Sequence, residues 1–156
     1  MSLRADAAVT SESGRWATFS LGEETLAVRV EDVQEVLMQQ PLTPVPLAPA
    51  HIVGLLNLRG QIMPAIDLRR RLQFPARAAA TEASLLVLKT KDHLMAVVVD
   101  AIGDVLDLPA ESWRPPPDTL AAQHRAFVFG ICPIDHGVVL GLRVGTLESD
   151  DERVGS

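Results

Sequence analysis

Aromatic residues are scarce in this 156-residue chain, which has two tryptophans, four phenylalanines and no tyrosine, although 47% of its residues are hydrophobic. Its core must therefore be built from Val, Leu, Ile and Ala. Cysteine is nearly absent too. Cys132 stands alone, so no internal disulfide can form, and the chain suits a reducing compartment. The apolar residues around Cys132 mark it as a buried, inert thiol. No apolar run approaches the roughly 18 residues of a membrane span, and the N-terminus lacks the basic-then-apolar pattern of a secretory signal. The expectation is a soluble cytoplasmic protein with no direct membrane insertion. Basic residues are in deficit, 14 Lys and Arg against 20 Asp and Glu, for a net charge of −6. That argues against nucleic acid, whose recognition needs a basic face.

Catalytic patterns are missing as well. His51, His93, His124 and His136 are scattered at no ligand spacing, and none pairs locally with Cys132. There is no phosphate-cradling glycine motif and no serine in a nucleophile-elbow pattern. The chain reads as a non-enzyme with no catalytic residues, no metal and no cofactor. Helical periodicity never exceeds about two turns. What remains is a series of short apolar strands with regular turn signals, the pattern of an all-β barrel or sandwich. The length suits one compact domain or two small, tightly fused ones.

Residues 1–14 are polar and small and read as a disordered tail. Strands are predicted over Trp16–Leu21 and Thr25–Val30, with a turn at Gly22-Glu23-Glu24. Glu31–Leu37 places Val33, Val36 and Leu37 at helical spacing and predicts one or two helical turns. Four prolines, Pro41, Pro44, Pro46 and Pro49, make the next stretch extended, and Ala50–Val53 is expected to form one helical turn. Then comes GLLNLRGQIMPAIDLRRRL, residues 54–72, read as a β-hairpin of Leu55–Leu58 and Ile62–Ile66 around Arg59-Gly60. Gly60 accepts the positive φ of a tight reversal, and Arg59 is presented at its tip as a fixed cation with a planar fork of donors. The basic cluster Arg69–Arg71 reads as a solvated face or a clasp on nearby acids. Gln73–Glu82 is a linker or long loop. Strands follow at Ser84–Lys89, at Leu94–Val99 (apolar enough for burial on both faces), at Val105–Leu108, at Ala126–Cys132 and at Val138–Val144. Trp113–Asp118 is a non-helical connector, and Glu148–Glu152 a frayed acidic end. Asp67, Asp100 and Asp104 read as strand-end carboxylates that cap turns or pair with arginines.

The chain also repeats itself. AVRVEDVQEVL, residues 27–37, resembles AVVVDAIGDVL, residues 96–106. Val53-Gly54 aligns with Phe129-Gly130, and from there without gaps Leu55 meets Ile131, Ile62 meets Val138 and Ile66 meets Leu142. Two related β-subdomains are expected, about 15–80 and 81–148, exchanging a terminal strand. Arg59-Gly60 aligns with Asp135-His136, so the arginine tip belongs to one copy alone. Val33, Leu37, Leu55, Ile62 and Val105 fall at element ends, where some must reach the surface. With Arg59 they suggest apolar patches around a charged anchor.

HIVGLLNLRGQIMPAIDLRRRL, VVVDAIGDVLDL and FVFGICPIDHGVVLGL together resemble the CheW family of chemotaxis adaptors, over roughly Trp16–Leu147. The resemblance implies an all-β fold of two small five-stranded β-barrel subdomains with short helical turns, spanning 15–148, with a frayed acidic tail at 149–156. It implies a non-catalytic scaffold that couples the cytoplasmic tips of chemoreceptors to the CheA histidine kinase. By that likeness Arg59, Val33 and Val105 are receptor-binding, and Glu35, Gly54 and Ile62 are kinase-binding. The protein would be cytoplasmic and recruited to membrane-associated receptor arrays. The same fold serves in CheA and CheV, but the chain has no room for a kinase core, a phosphotransfer domain or a receiver, which leaves the stand-alone adaptor. Two features depart from the family pattern: Arg143 in the last strand, and a short or absent C-terminal helix. Two alternatives stay open. One is an adaptor of a non-flagellar chemosensory pathway serving pilus motility, biofilm or gene regulation. The other is a stand-alone small-molecule-binding β-barrel sensor.

Overall fold

The computed structural model describes residues 14–38, 40–75 and 83–147. The expected disordered N-terminal tail, most of the expected linker and the acidic C-terminal tail lie outside the described residues. Ten strands carry the fold: β1 (Gly14–Leu21), β2 (Glu24–Arg29), β3 (Val33–Met38), β4 (Ile52–Leu58), β5 (Gln61–Asp67), β6 (Ser84–Lys89), β7 (Leu94–Val99), β8 (Ala101–Leu108), β9 (Val128–Ile134) and β10 (Gly137–Leu142). Among the described residues helix is confined to single turns: α1 (Leu68–Arg71), α2 (Ala122–Arg125) and three 3-10 turns at Val30–Asp32, Ala110–Ser112 and Val144–Thr146.

The strands form two five-stranded sheets, ordered β8-β1-β2-β10-β9 and β3-β6-β7-β5-β4. The two orders are the same once the repeat is applied, with β1 to β5 standing for β6 to β10. Each sheet takes two strands from one half of the chain and three from the other. β3 leaves the first pair of strands to join β6, and β8 leaves the second pair to join β1. Even the flanking connectors repeat. Thr43 bridges to Leu55 on the outer edge of β4, and Arg114 bridges to Ile131 on the outer edge of β9.

The alternation of side chains explains why these strands are apolar on both faces. In β7, Met95, Val97 and Val99 enter a core shared by the two sheets, while Ala96 and Val98 enter a second core belonging to their own sheet. β6 divides in the same way, Leu86 and Leu88 against Leu85 and Val87. All five strands of the second sheet contribute to its private core, Leu37 of β3 and Leu56 of β4 included. The first sheet curls equally around Trp16, Ala27, Leu108, Phe129, Cys132 and Val139. Each sheet is thus rolled up but not closed, since its hydrogen-bonded order ends at two separate edge strands. The two five-stranded subdomains are those the resemblance implies, with rolled, open sheets where it implies barrels.

Other differences are local. Glu31–Leu37 is not helical beyond the 3-10 turn at Val30–Asp32. β3 begins at Val33, and its backbone pairs with β6 from Val33↔Leu88 to Met38↔Ser84. Val33 and Leu37 fit either period, whereas Val36 shares their face only in a helix, and the partner strand decides between them. Ile52 and Val53 open β4 instead of closing a helical turn. β8 starts at Ala101. β9 starts at Val128, after α2, which no sequence pattern announced. β10 stops at Leu142 and gives way to a 3-10 turn.

The arginine cluster is a set of clasps. Arg69 donates from Nε to Asp100 at 2.9 Å and again from Nη2, both side chains being 13% exposed. Asp100 also accepts the Gly22 N–H at 2.7 Å. Arg70 reaches Asp67 at 3.5 Å, and Asp67 caps α1 by accepting the Arg69 N–H. Arg71 donates to the carbonyls of Leu147 and Thr146 at 2.7 and 3.2 Å and lies 5.0 Å from the Phe127 ring centre. The Arg69 and Arg71 bonds tie the turn after β5 to the second half of the chain.

Candidate functional site: a hairpin tip paired to an edge strand

β4 and β5 pair through Leu58↔Gln61, so only Arg59 and Gly60 form the loop. Arg59 has φ 53° and Gly60 φ 87°, the two positive values that a two-residue I′ turn requires. Gly60 takes its value freely, whereas Arg59 does so at a cost. The Asn57 side chain holds the turn by accepting the Gly60 N–H at 3.0 Å. In the repeated hairpin neither Asp135 nor His136 has positive φ. The two tips therefore differ in backbone as well as in charge.

From this tip the Arg59 guanidinium reaches Glu35 on β3. Nη2 makes the short contact with Oε1, and Nη1 lies 3.4 Å from Oε2. The pairing with Glu35 raises the Arg59 pKa further above its ordinary value, mainly through the hydrogen bond. Glu35 sits on one edge strand of its sheet and Arg59 on the turn that leaves the opposite edge strand, β4. The ion pair therefore spans the open seam of the rolled sheet, where no backbone ladder runs. Arg59 is largely exposed and Glu35 less so, leaving the guanidinium accessible from outside.

The remaining sequence-derived candidates fall in distinct places. Ile62, just past the tip on β5, is 62% exposed, and Val105 on the edge strand β8 is 49% exposed. Val33 is partly buried against the shared core. Val33 and Val105 lie on edge strands of different sheets. Gly54 is buried beneath the proline-rich connector. A Cβ there would come within 2.9 Å of the Leu42 Cβ and of the Thr43 carbonyl oxygen. Arg59 and Glu35, which the resemblance assigns to different partners, are bonded to each other.

Sequence reasoning missed two neighbours of Glu35. Val36 is 50% exposed and Met38 76% exposed, on the outward face of β3. The period-2 alternation of Gln34, Val36 and Met38 was the available signal, and the helical reading of this stretch concealed it. Cys132 is buried, and desolvation pushes its thiol pKa up, away from a reactive thiolate. Among the described residues, no group of three or more His, Cys, Asp or Glu could hold a metal ion. None of their helices is long and apolar enough to cross a membrane.

Known proteins place this geometry in a family. The chemotaxis protein CheW of Rhizobium meliloti (strain 1021) is 28% identical over 135 residues, covering 86% of this chain and 87% of that protein. Protein FrzA of Myxococcus xanthus is 32% identical over 123 residues, 78% and 77% of the two chains. The crystal structure of the scaffolding protein TtCheW from Thermoanaerobacter tengcongensis superposes with a TM-score of 0.81 at 29% identity, over 89% of this chain and 95% of that one. The CheW-like domain matches residues 15–152, and the chain belongs to the CheW-like domain family.

Proposed function

We propose that the protein is a non-catalytic scaffold that couples chemoreceptor tips to a CheA-type histidine kinase, in the cytoplasm and within membrane-associated arrays. The observation that carries this reading is the Arg59–Glu35 pair across the seam of the second sheet. A scaffold must hold two docking surfaces in fixed relation. Here one charged contact joins the hairpin carrying Ile62 to the strand carrying Glu35, Val36 and Met38. Arg59 acts on the receptor side, with Val33 and Val105. Glu35, Gly54 and Ile62 serve the kinase side, Gly54 from below by letting the connector lie flat on β4. Arg59 works chiefly through Glu35, keeping the two surfaces in register. Small surfaces of this kind suit transient contacts burying under about 1,200 Å² in total, which an array strengthens by raising effective concentration.

The test is a reconstitution of this chain with a cognate CheA-type kinase and receptor signalling tips. Receptor-dependent change in kinase activity is expected only when the chain is present. A further expectation is that Ile62→Asp weakens kinase binding by about tenfold or more, the loss of one apolar contact worth roughly 1.4 kcal/mol, while the far-UV spectrum stays unchanged. Unaltered kinase affinity in a folded Ile62→Asp protein removes Ile62 from the kinase surface. No effect of the chain on kinase activity overturns the whole reading.

A further inference from the structure

The repeat shows one place where the two halves are filled differently. After β5, Arg69 inserts beside the β1–β2 turn and is held by Asp100, which also takes the Gly22 N–H. The alignment that sets Leu55 against Ile131 sets Arg69 against Gly145, and that of residues 27–37 sets Asp100 against Glu31. In the second position there is no side chain to insert. Glu31 turns aside to Arg29 at 3.0 Å, and a cavity of ≈ 590 Å³ opens beside Gly145 and the β6–β7 turn, larger than the ≈ 390 Å³ one that Arg69 lines beside the β1–β2 turn. That lies within the roughly 300–1,000 Å³ of small-ligand sites.

The walls of the cavity define its occupant. Trp16, Phe129, Leu142 and Val144 form an apolar floor. The indole N–H of Trp16 is buried with no hydrogen-bond partner among the described residues. Asp32 stands at the edge, half-buried. Burial raises its carboxyl pKa above the ordinary value, against the pull of Arg29 and Lys89. A half-buried carboxyl of this kind favours a cationic donor. Lys89 and Lys91 flank the same opening and favour a carboxylate. Arg29, Glu31 and Arg143 complete the charged lining, so a simple anion would face the carboxylates of Glu31 and Asp32, and a simple cation would face the lysines and arginines. A molecule carrying both charges on an apolar body meets all three features.

We propose that this cavity binds a small zwitterion with an apolar side chain, the chemistry of a free aliphatic or aromatic α-amino acid. The ammonium group sits at Asp32, the carboxylate at Lys89 and Lys91, and the side chain on the Trp16–Phe129 floor. The site is independent of the Arg59 hairpin.

The experiment is a titration of the full chain with L-leucine and L-phenylalanine, followed by tryptophan fluorescence and calorimetry. Saturable binding of at least one is expected. N-acetyl-L-leucine, which lacks the cation, and L-leucinamide, which lacks the carboxylate, should each bind at least about tenfold more weakly. Gly145→Arg should abolish binding by restoring the missing side chain. A Cβ at Gly145 meets nothing within 4 Å, so the fold should accept it. If that variant does not fold, Asp32→Asn serves in its place, with at least about a tenfold loss expected. Absence of saturable binding, equal binding of the acetylated compound, or undiminished binding in these variants overturns the proposal.

Discussion

Replacing Asp100 by alanine removes one end of the most buried clasp in the described structure. Three interactions disappear together: the Arg69 Nε bond at 2.9 Å, its Nη2 companion, and the Gly22 N–H bond at 2.7 Å. Arg69 is left with the Pro75 carbonyl at 2.6 Å as its remaining described acceptor. Both partners are only 13% exposed, so water cannot fully replace the lost carboxylate. Breaking a buried pair from one side costs about 3–5 kcal/mol. The retained carbonyl bond and the residual exposure place this site at the low end, about 3 kcal/mol. For a domain of this size that corresponds to a fall in Tm of roughly 10 °C. Thermal unfolding by circular dichroism, with urea titration as a second measure, would read it. A shift within about 2 °C would mean that the clasp contributes little to holding the halves together. The Arg59–Glu35 pair offers the internal contrast: it is far more exposed, and removing it should leave Tm nearly unchanged.

Two further expectations concern single positions. Gly54→Ala should destabilise the chain by about 1–3 kcal/mol, because its Cβ would push Leu42 and Thr43 off β4 and strain the paired Thr43–Leu55 bonds of 2.9 and 2.8 Å; urea unfolding gives the value, and an unchanged midpoint would mean that the connector yields freely. Asp32→Asn should raise stability at neutral pH. Burial holds the folded pKa of Asp32 above its ordinary 3.8, so ionising this group favours the unfolded chain, and the native protein is penalised as pH rises through that pKa. The stability of variant and parent should differ at pH 7 and converge below about pH 4, and equal Tm across the whole range would contradict the assignment.

Much of the scaffold was legible because its strands announce themselves. β6 and β7 fall where the apolar runs put them, since each must fill a shared core on one face and a private core on the other. The duplication was legible because the gapless pairing of Leu55 with Ile131 reflects equivalent positions on β4 and β9, each bridged by its own connector. β3 was not legible. Val33, Val36 and Leu37 satisfy i, i+3, i+4, whereas alternation sets Val36 on the opposite face from Val33 and Leu37, and only the partner strand, distant in sequence, decides between the two. Whether a rolled sheet closes depends on strand tilt and stagger, which hydrophobic pattern does not encode.

The site divides along the same line. Arg59 could be read as an exposed tip because loop length and Gly60 define the turn locally. That its partner would be Glu35 could not, since the contact exists only because the second sheet curls until its two edges approach. Gly54 read as a surface position, but the proline-rich connector folds across it. Arg69 to Arg71 could be read only as a solvated face or a clasp on acids, and their partners Asp100, Asp67 and the Thr146–Leu147 carbonyls could not be named.

The scaffold account is tested most directly by exchanging the charges of the Arg59–Glu35 pair in a reconstituted array of receptor tips, kinase and this chain. Arg59→Glu alone should fold and yet lose receptor control of the kinase, because Glu35 now repels the hairpin from β3. The double variant Arg59→Glu, Glu35→Arg should recover most of that control. Full control in the single variant, or no recovery in the double, would contradict the claim that the pair joins the two docking surfaces.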